Sequence, residues 1–145
     1  MLIRRATAAD ADAVADVFLA AKGEMTYLPQ LHTEDETRRW MRDIVLRDLE
    51  VWIAEADERV TGFAALSADL LEHLYVHPQE QNQGVGTALL ALAKERRPRG
   101  LRLWVFQKNV GARRFYERHG FTVARLTDGR ENEEREADAL YEWSH

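Results

Sequence analysis

One stretch constrains this chain more than any other. At Leu70 an apolar run of strand length begins, Leu-Leu-Glu-His-Leu-Tyr-Val, and Pro78 stops it, because proline cannot donate to a sheet ladder. A short polar loop follows, then Gly84-Val85-Gly86-Thr87, then apolar residues at helical spacing: Val85, Ala88, Leu89 and Leu92. Strand, glycine loop and helix N-terminus together make an anion site. The first turn of a helix has free N–H groups and a partial positive charge, and glycines let a phosphate approach the backbone. Two familiar phosphate loops do not fit. No Gly-Lys-Ser/Thr is present, and no third glycine follows Gly86 at the dinucleotide spacing. The plainer alternative is a helix start with glycines for tight packing.

The arrangement Gln81-x-x-Gly84-x-Gly86, preceded by Leu-Tyr-Val-x-Pro and followed by Thr-Ala-Leu-Leu, resembles the acetyl-CoA motif of the GNAT N-acetyltransferase superfamily. A second stretch, Asn109 to Phe121, is similar to the segment that in that superfamily follows the fifth strand and carries a tyrosine near the CoA sulfur. The clear resemblance covers residues 60–122, and the element order extends it over the chain.

The remaining elements are read from periodicity and turn chemistry. Residues 2–6 read as a strand. Thr7 and Asp10 have capping-box spacing before a helix from Ala8 to Lys22 that Gly23 ends. Residues 24–32 read as a loop, and Thr33-Glu34-Asp35-Glu36 as a capping box for a second helix whose apolar residues include Trp40, Ile44 and Leu46. Residues 51–55 and 60–67 form a hairpin leading into the opening strand. After the third helix, residues 101–106 give a strand, and Asn109 caps a fourth helix that Gly120 stops. Two strands, 121–126 and 137–143, flank a turn at Asp128-Gly129-Arg130 and an acidic run, Glu131 to Glu136, which reads as a solvated loop. The order is β-α-α-β-β-β-α-β-α-β-β. The expectation is a single α/β domain over 1–145, and the resemblance implies a GNAT-like mixed, mostly antiparallel sheet with about four helices. It also implies that the fourth and fifth strands splay apart to admit the pantetheine arm.

Composition excludes several function classes. The chain of 145 residues has no cysteine, so neither a disulfide nor a Cys-linked acyl intermediate is available. A formal net charge of −5 disfavours a nucleic-acid binder and suits a cationic substrate. No apolar run approaches the roughly 20 residues of a membrane span, and residues 1–5 do not read as a signal peptide, so a cytoplasmic location is expected. The five histidines show no metal-ligand spacing, so no catalytic metal is expected.

The resemblance assigns the site. Gln81, Asn82, Gln83, Gly84, Val85, Gly86 and Thr87 form the expected pyrophosphate cradle. Leu74, Tyr75 and Val76 offer backbone to the pantetheine and the oxyanion, and Asn109 serves as helix cap and cofactor contact. Arg96, Arg97 and Lys108 are cationic candidates for the nucleotide end. Tyr116 is the candidate general acid: a phenol of pKa about 10 can donate to a thiolate of pKa about 8.5. Glu72 and His73 are candidate bases, and as strand neighbours they should point to opposite faces. Tyr27, His32 and Trp40 are candidates to shape the acceptor pocket. Each has a plainer reading. Tyr116, Tyr27 and Trp40 can be core aromatics, His32 a solvated loop residue, Glu72 a surface acid and His73 a packed one. The implied activity is transfer of acetyl from acetyl-CoA to a primary amine of a small molecule or protein, directly in a ternary complex. A non-catalytic acyl-CoA-binding sensor or partner module is the alternative, and a nucleotide-phosphate binder a weaker one. A homodimer is expected from base rates.

Overall fold

The computed structural model of the chain describes residues 1–145. Seven strands form one sheet in the order β1-β2-β3-β4-β5-β7-β6. They are β1 Leu2–Arg5, β2 Glu50–Ala56, β3 Arg59–Ser67, β4 Leu70–Val76, β5 Gly100–Phe106, β6 Thr122–Leu126 and β7 Asp138–Ser144. All neighbours are antiparallel except β4 and β5. The fourth and fifth strands do splay, as the resemblance implied: they share one register pair, Leu70 with Arg102. β7 lies between β5 and β6, because it carries the buried residues Ala139, Leu140 and Tyr141 whereas every residue of β6 is exposed.

Helix α1 spans Ala11–Gly23, after a 3-10 turn at Ala8–Asp10. The Asp10 carboxylate accepts a hydrogen bond from the Thr7 N–H at 2.7 Å, as the capping-box spacing anticipates. Helix α2 starts at Glu34, where Thr33 Oγ1 accepts from the Glu36 N–H (3.1 Å) and Glu36 Oε1 accepts from the Thr33 N–H (2.8 Å). Past Trp40 it widens into a π-helical turn, Met41–Val45, and ends with Leu46–Asp48. The extra residue per turn shifts the helical register. Met41 and Val45 enter the core, and Ile44 is left 43% exposed. Helix α3 spans Val85–Arg96 and α4 spans Val110–Arg118.

The core lies on both faces of the sheet. Val14, Val17, Met41, Val45 and Phe63 pack α1 and α2 against one face. Leu89, Leu90, Leu103, Tyr116 and Phe121 pack α3 and α4 against the other. The site lies where β4 and β5 part between these layers.

Candidate functional site

The parting begins at Asp69, whose carbonyl accepts the Arg102 N–H (2.8 Å) and whose carboxylate pairs with Arg102 (2.9 Å). Beyond it β4 carries a bulge. Ala65 of β3 pairs with His73 and Leu66 with Leu71, so Glu72 is the inserted residue. The His77 N–H donates to the Thr61 carbonyl (2.8 Å). Antiparallel alternation then directs the main chain of His73 and Tyr75 to β3, and that of Leu74 and Val76 into the gap. This leaves a strand edge open to a ligand's amides inside the molecule. The resulting cleft holds about 1090 Å³.

At one end of the gap stands the N-terminus of α3. Asn82 (φ 66°) and Gly84 (φ 81°) both adopt the left-handed conformation, which turns the loop into the helix. The first intrahelical bond runs from the Ala88 N–H to the Gly84 carbonyl (3.0 Å), and no side chain caps the helix start. The N–H groups of Val85, Gly86 and Thr87 therefore precede the ladder and are free for an anion. Gln81, Asn82, Gly84, Val85, Gly86 and Thr87 line the cleft; Gln83 is exposed beside it. The loop is anchored by Glu80, a buried acid that pairs with Arg59 at 2.8 Å.

The opposite wall is α4. Asn109 Oδ1 accepts from the Ala112 N–H (3.2 Å), so the cap is formed, and the residue lines the cleft. One turn further, Phe115 and Tyr116 reach the cleft. Tyr116 is 8% exposed, with Phe121 packed on its ring. Burial, and then the neighbouring Tyr75, pushes the phenol above its usual pKa, so it stays protonated and keeps a proton to donate at neutral pH.

The cleft is also walled by Tyr27, His73 and Phe106. Glu72 is exposed and lines the cleft. His73 is enclosed by Phe18, Trp40, Phe63 and Tyr75, with ring centroids 5.9, 5.4, 6.3 and 6.1 Å away. Burial, helped by the charge of Lys22, pulls its pKa down to about 4. The ring is neutral at physiological pH, and its intrinsic advantage as a base is lost. Trp40 packs on Phe18 (5.2 Å) behind the cleft wall and does not line it. His32 is exposed, also off the cleft, and meets Glu133 Oε1 at 2.5 Å. Residues 131–136 form an exposed loop, as read, with Glu131, Glu133 and Arg135 all exposed, and this contact ties it to His32. Asn132 staples the segment through Glu136, and Glu133 reaches across to the α1–α2 loop.

Comparison with known proteins is decisive for the family. A family model for the acetyltransferase (GNAT) domain matches residues 47–123. The chain belongs to the GNAT acetyltransferase family. The peptidyl-lysine N-acetyltransferase YiaC of Escherichia coli is 33% identical over 84 residues, a stretch covering 57% of this chain and 57% of YiaC. The chain thus spans little more than half the length of that relative. The solution structure of apo YjaB from Escherichia coli superposes with a TM-score of 0.79 at 21% identity, covering 98% of this chain and 96% of YjaB. The structure of yncA from Salmonella typhimurium, solved with its cofactor acetyl-CoA, has a TM-score of 0.73 at 25% identity, covering 99% and 93%.

Within this GNAT frame the basic residues need reassignment. Arg96 and Arg97 do not reach the cleft: both guanidiniums bind Glu50, at 2.6 and 3.2 Å. Burial opposes the Glu50 charge, but hydrogen bonds from Arg96, Trp52 and Arg97 override it and hold the carboxyl at about 2. Arg114 and Arg118 line the cleft instead, with Lys108. Their i, i+4 spacing on one helix face was the available signal. The residues present fit a bound CoA: uncapped helix amides for its diphosphate, an open strand edge for its pantetheine amides, and cations beside both. No helix is long and apolar enough to cross a membrane.

Proposed function

We propose that this protein is an acetyl-CoA-dependent N-acetyltransferase that acts on a primary amine by direct transfer in a ternary complex. One observation carries the reading: uncapped amides at the start of α3 face a gap where β4 and β5 pair only at Leu70 and Arg102. The first supplies an anion site, the second a slot for an extended arm with a hydrogen-bonding wall.

Acetyl-CoA supplies an activated thioester. The N–H groups of Val85, Gly86 and Thr87 hold the diphosphate, and the main chain of Leu74 and Val76 aligns the arm along β4. A gap-facing N–H on this segment donates to the carbonyl oxygen as charge develops there. Tyr116 donates a hydrogen bond to the departing sulfur. An alkylammonium of pKa about 10.4 must first lose a proton. Glu72, exposed at the bulge, takes it directly or through water. His73, held neutral by its aromatic surroundings, positions the acceptor. Tyr27 lies on the acceptor wall; His32 and Trp40 act behind it, through Glu133 and His73.

Titration calorimetry with acetyl-CoA, followed by release of free CoA thiol across an amine panel, tests this. Binding at micromolar to millimolar concentration with thiol release for at least one amine is expected. Absence of binding at millimolar acetyl-CoA would overturn the reading, and binding with no release for any amine would favour the acyl-CoA sensor.

A further inference from the structure

Strand β3 meets the glycine loop and its flanks at three successive points. Its first residue, Arg59, follows a tight hairpin turn in which Asp57 (φ 52°) and Glu58 (φ 63°) are both left-handed. The Arg59 guanidinium pairs with the Glu80 carboxylate at 2.8 Å. Two residues on, the Thr61 carbonyl accepts from the His77 N–H at 2.8 Å. At Gly62 the strand lies so close to the start of α3 that an added Cβ would meet a Val85 methyl at 3.0 Å. Residues 61–66 are buried without exception, so β3 is a fixed reference against which the loop is set.

The loop supplies little structure of its own. The turn Pro78–Glu80 closes with the Glu80 N–H on the His77 carbonyl (2.8 Å), and the Gly84 carbonyl accepts from Ala88 (3.0 Å). Between them, residues 81–83 are exposed and no hydrogen bond within the protein engages them. Asn82 nevertheless holds φ 66°, a left-handed conformation that a residue with a side chain keeps only when its surroundings impose it. The loop's shape is therefore imposed at its two ends, by α3 and by Glu80.

The two partners are unequally placed. The Glu80 side chain is 10% exposed and the Arg59 side chain 61%, and Glu80 lines the cleft whereas Arg59 does not. An ion pair of this kind adds little net stability, but removing one partner leaves a buried charge that must regain water. Glu80 regains it by swinging its turn outward, and the loop is attached to that turn. We propose that Arg59 is a positioning residue for the cofactor: through Glu80 it holds the glycine loop in the form that presents the first amides of α3 to the diphosphate. The proposal deepens the acetyltransferase reading and rests on it for the identity of the ligand.

The test compares the full wild-type chain with Arg59→Gln and with Arg59→Gln combined with Glu80→Gln, which has no charge left to bury. Calorimetry should show acetyl-CoA bound about ten-fold more weakly by the single variant, with most of the loss recovered in the double variant. kcat at saturating acetyl-CoA should stay within about two-fold in both, since the reacting groups are untouched. In the cofactor-free protein, NMR order parameters of residues 81–84 should fall by about 0.2 in the single variant and return in the double one. Arg59→Lys, with the same charge on a different head, should show a smaller loss that Glu80→Gln again reverses, and it gives a second reading should Arg59→Gln not fold. Unchanged acetyl-CoA affinity in Arg59→Gln, or equal weakening in the single and double variants, would overturn the proposal. So would a loss of kcat as large as the loss of affinity, the mark of a general structural role. A wild type that binds no acetyl-CoA would remove the acetyltransferase reading, and the loop's order parameters would then decide the role of Arg59 by themselves.

Discussion

Glu72 and His73 are consecutive on β4, yet one is exposed in the cleft and the other is enclosed by four aromatic side chains. The enclosed imidazole makes stability depend on pH in a defined window. Its pKa is about 4 when folded, against 6.5 as the ordinary value. Between these values the unfolded chain takes up a proton that the native protein refuses. The contribution is therefore complete above pH 6.5 and is lost as pH falls toward 4, to a total of about 3 kcal/mol. Urea unfolding at pH 7 and pH 5 should show most of that loss in the wild type and little of it in His73→Phe. Equal slopes in the two proteins would mean that the ring is hydrated and free to charge.

The exposed neighbour should behave in the opposite way. Replacing Glu72 with Gln removes no buried contact, so stability should change by at most about 0.5 kcal/mol. If Glu72 takes the acceptor's proton, kcat/KM near pH 7 should drop by about 10- to 100-fold. The deficit should shrink as pH rises and more of the amine arrives neutral. Initial rates across the pH range decide it, and a deficit constant with pH would assign Glu72 to binding.

Tyr116→Phe should separate chemistry from binding. The ring stays packed on Phe121 and only the hydroxyl is lost. Affinity for acetyl-CoA should stay within about three-fold, while kcat falls by about 10- to 100-fold. Weakened cofactor affinity with unchanged kcat would place the hydroxyl on the cofactor and away from the leaving sulfur.

Elements governed by neighbours in sequence were readable before any coordinates. Thr33 with Glu36, Asn109, and Gly120 at φ 90° all terminate helices as local chemistry requires. The succession of strand β4, glycine loop and uncapped helix start was readable for the same reason, since the three are contiguous. What escaped depends on distant partners. Glu50 holds Arg96 from 46 positions away, and nothing near Arg96 announces it. Lys22 reads as the last residue of a helix until β5 brings Phe106 beneath it. His73 reads as a fair base until four aromatics from three elements and a neighbouring strand close around it. The order of β6 and β7 was within reach, because the sequence Ala-Leu-Tyr is plainly more apolar than Val-Ala-Arg and belongs inside.

The two glycines of the cradle have different reasons to be glycine, and two substitutions tell them apart. Gly84 sits at φ 81° with nothing near an added Cβ. Its demand is conformational, so Gly84→Ala should cost about 1–2 kcal/mol of stability through left-handed strain alone. Gly86 is helical, and a Cβ there would meet only the Phe115 ring at 3.5 Å and a Val76 methyl at 3.7 Å, ordinary contact distances. If glycine at 86 served helix packing or folding, alanine would be tolerated or better, gaining about 0.5–1 kcal/mol of helix propensity. If it serves close approach of a diphosphate to the backbone, alanine stands in the way of the ligand. Gly86→Ala should therefore raise the melting temperature of the free protein or leave it unchanged, and weaken acetyl-CoA binding by at least ten-fold. Thermal unfolding with and without acetyl-CoA measures both at once. A variant as stable as the wild type that binds acetyl-CoA equally well would return the glycine loop to a packing role and leave the helix amides without a ligand.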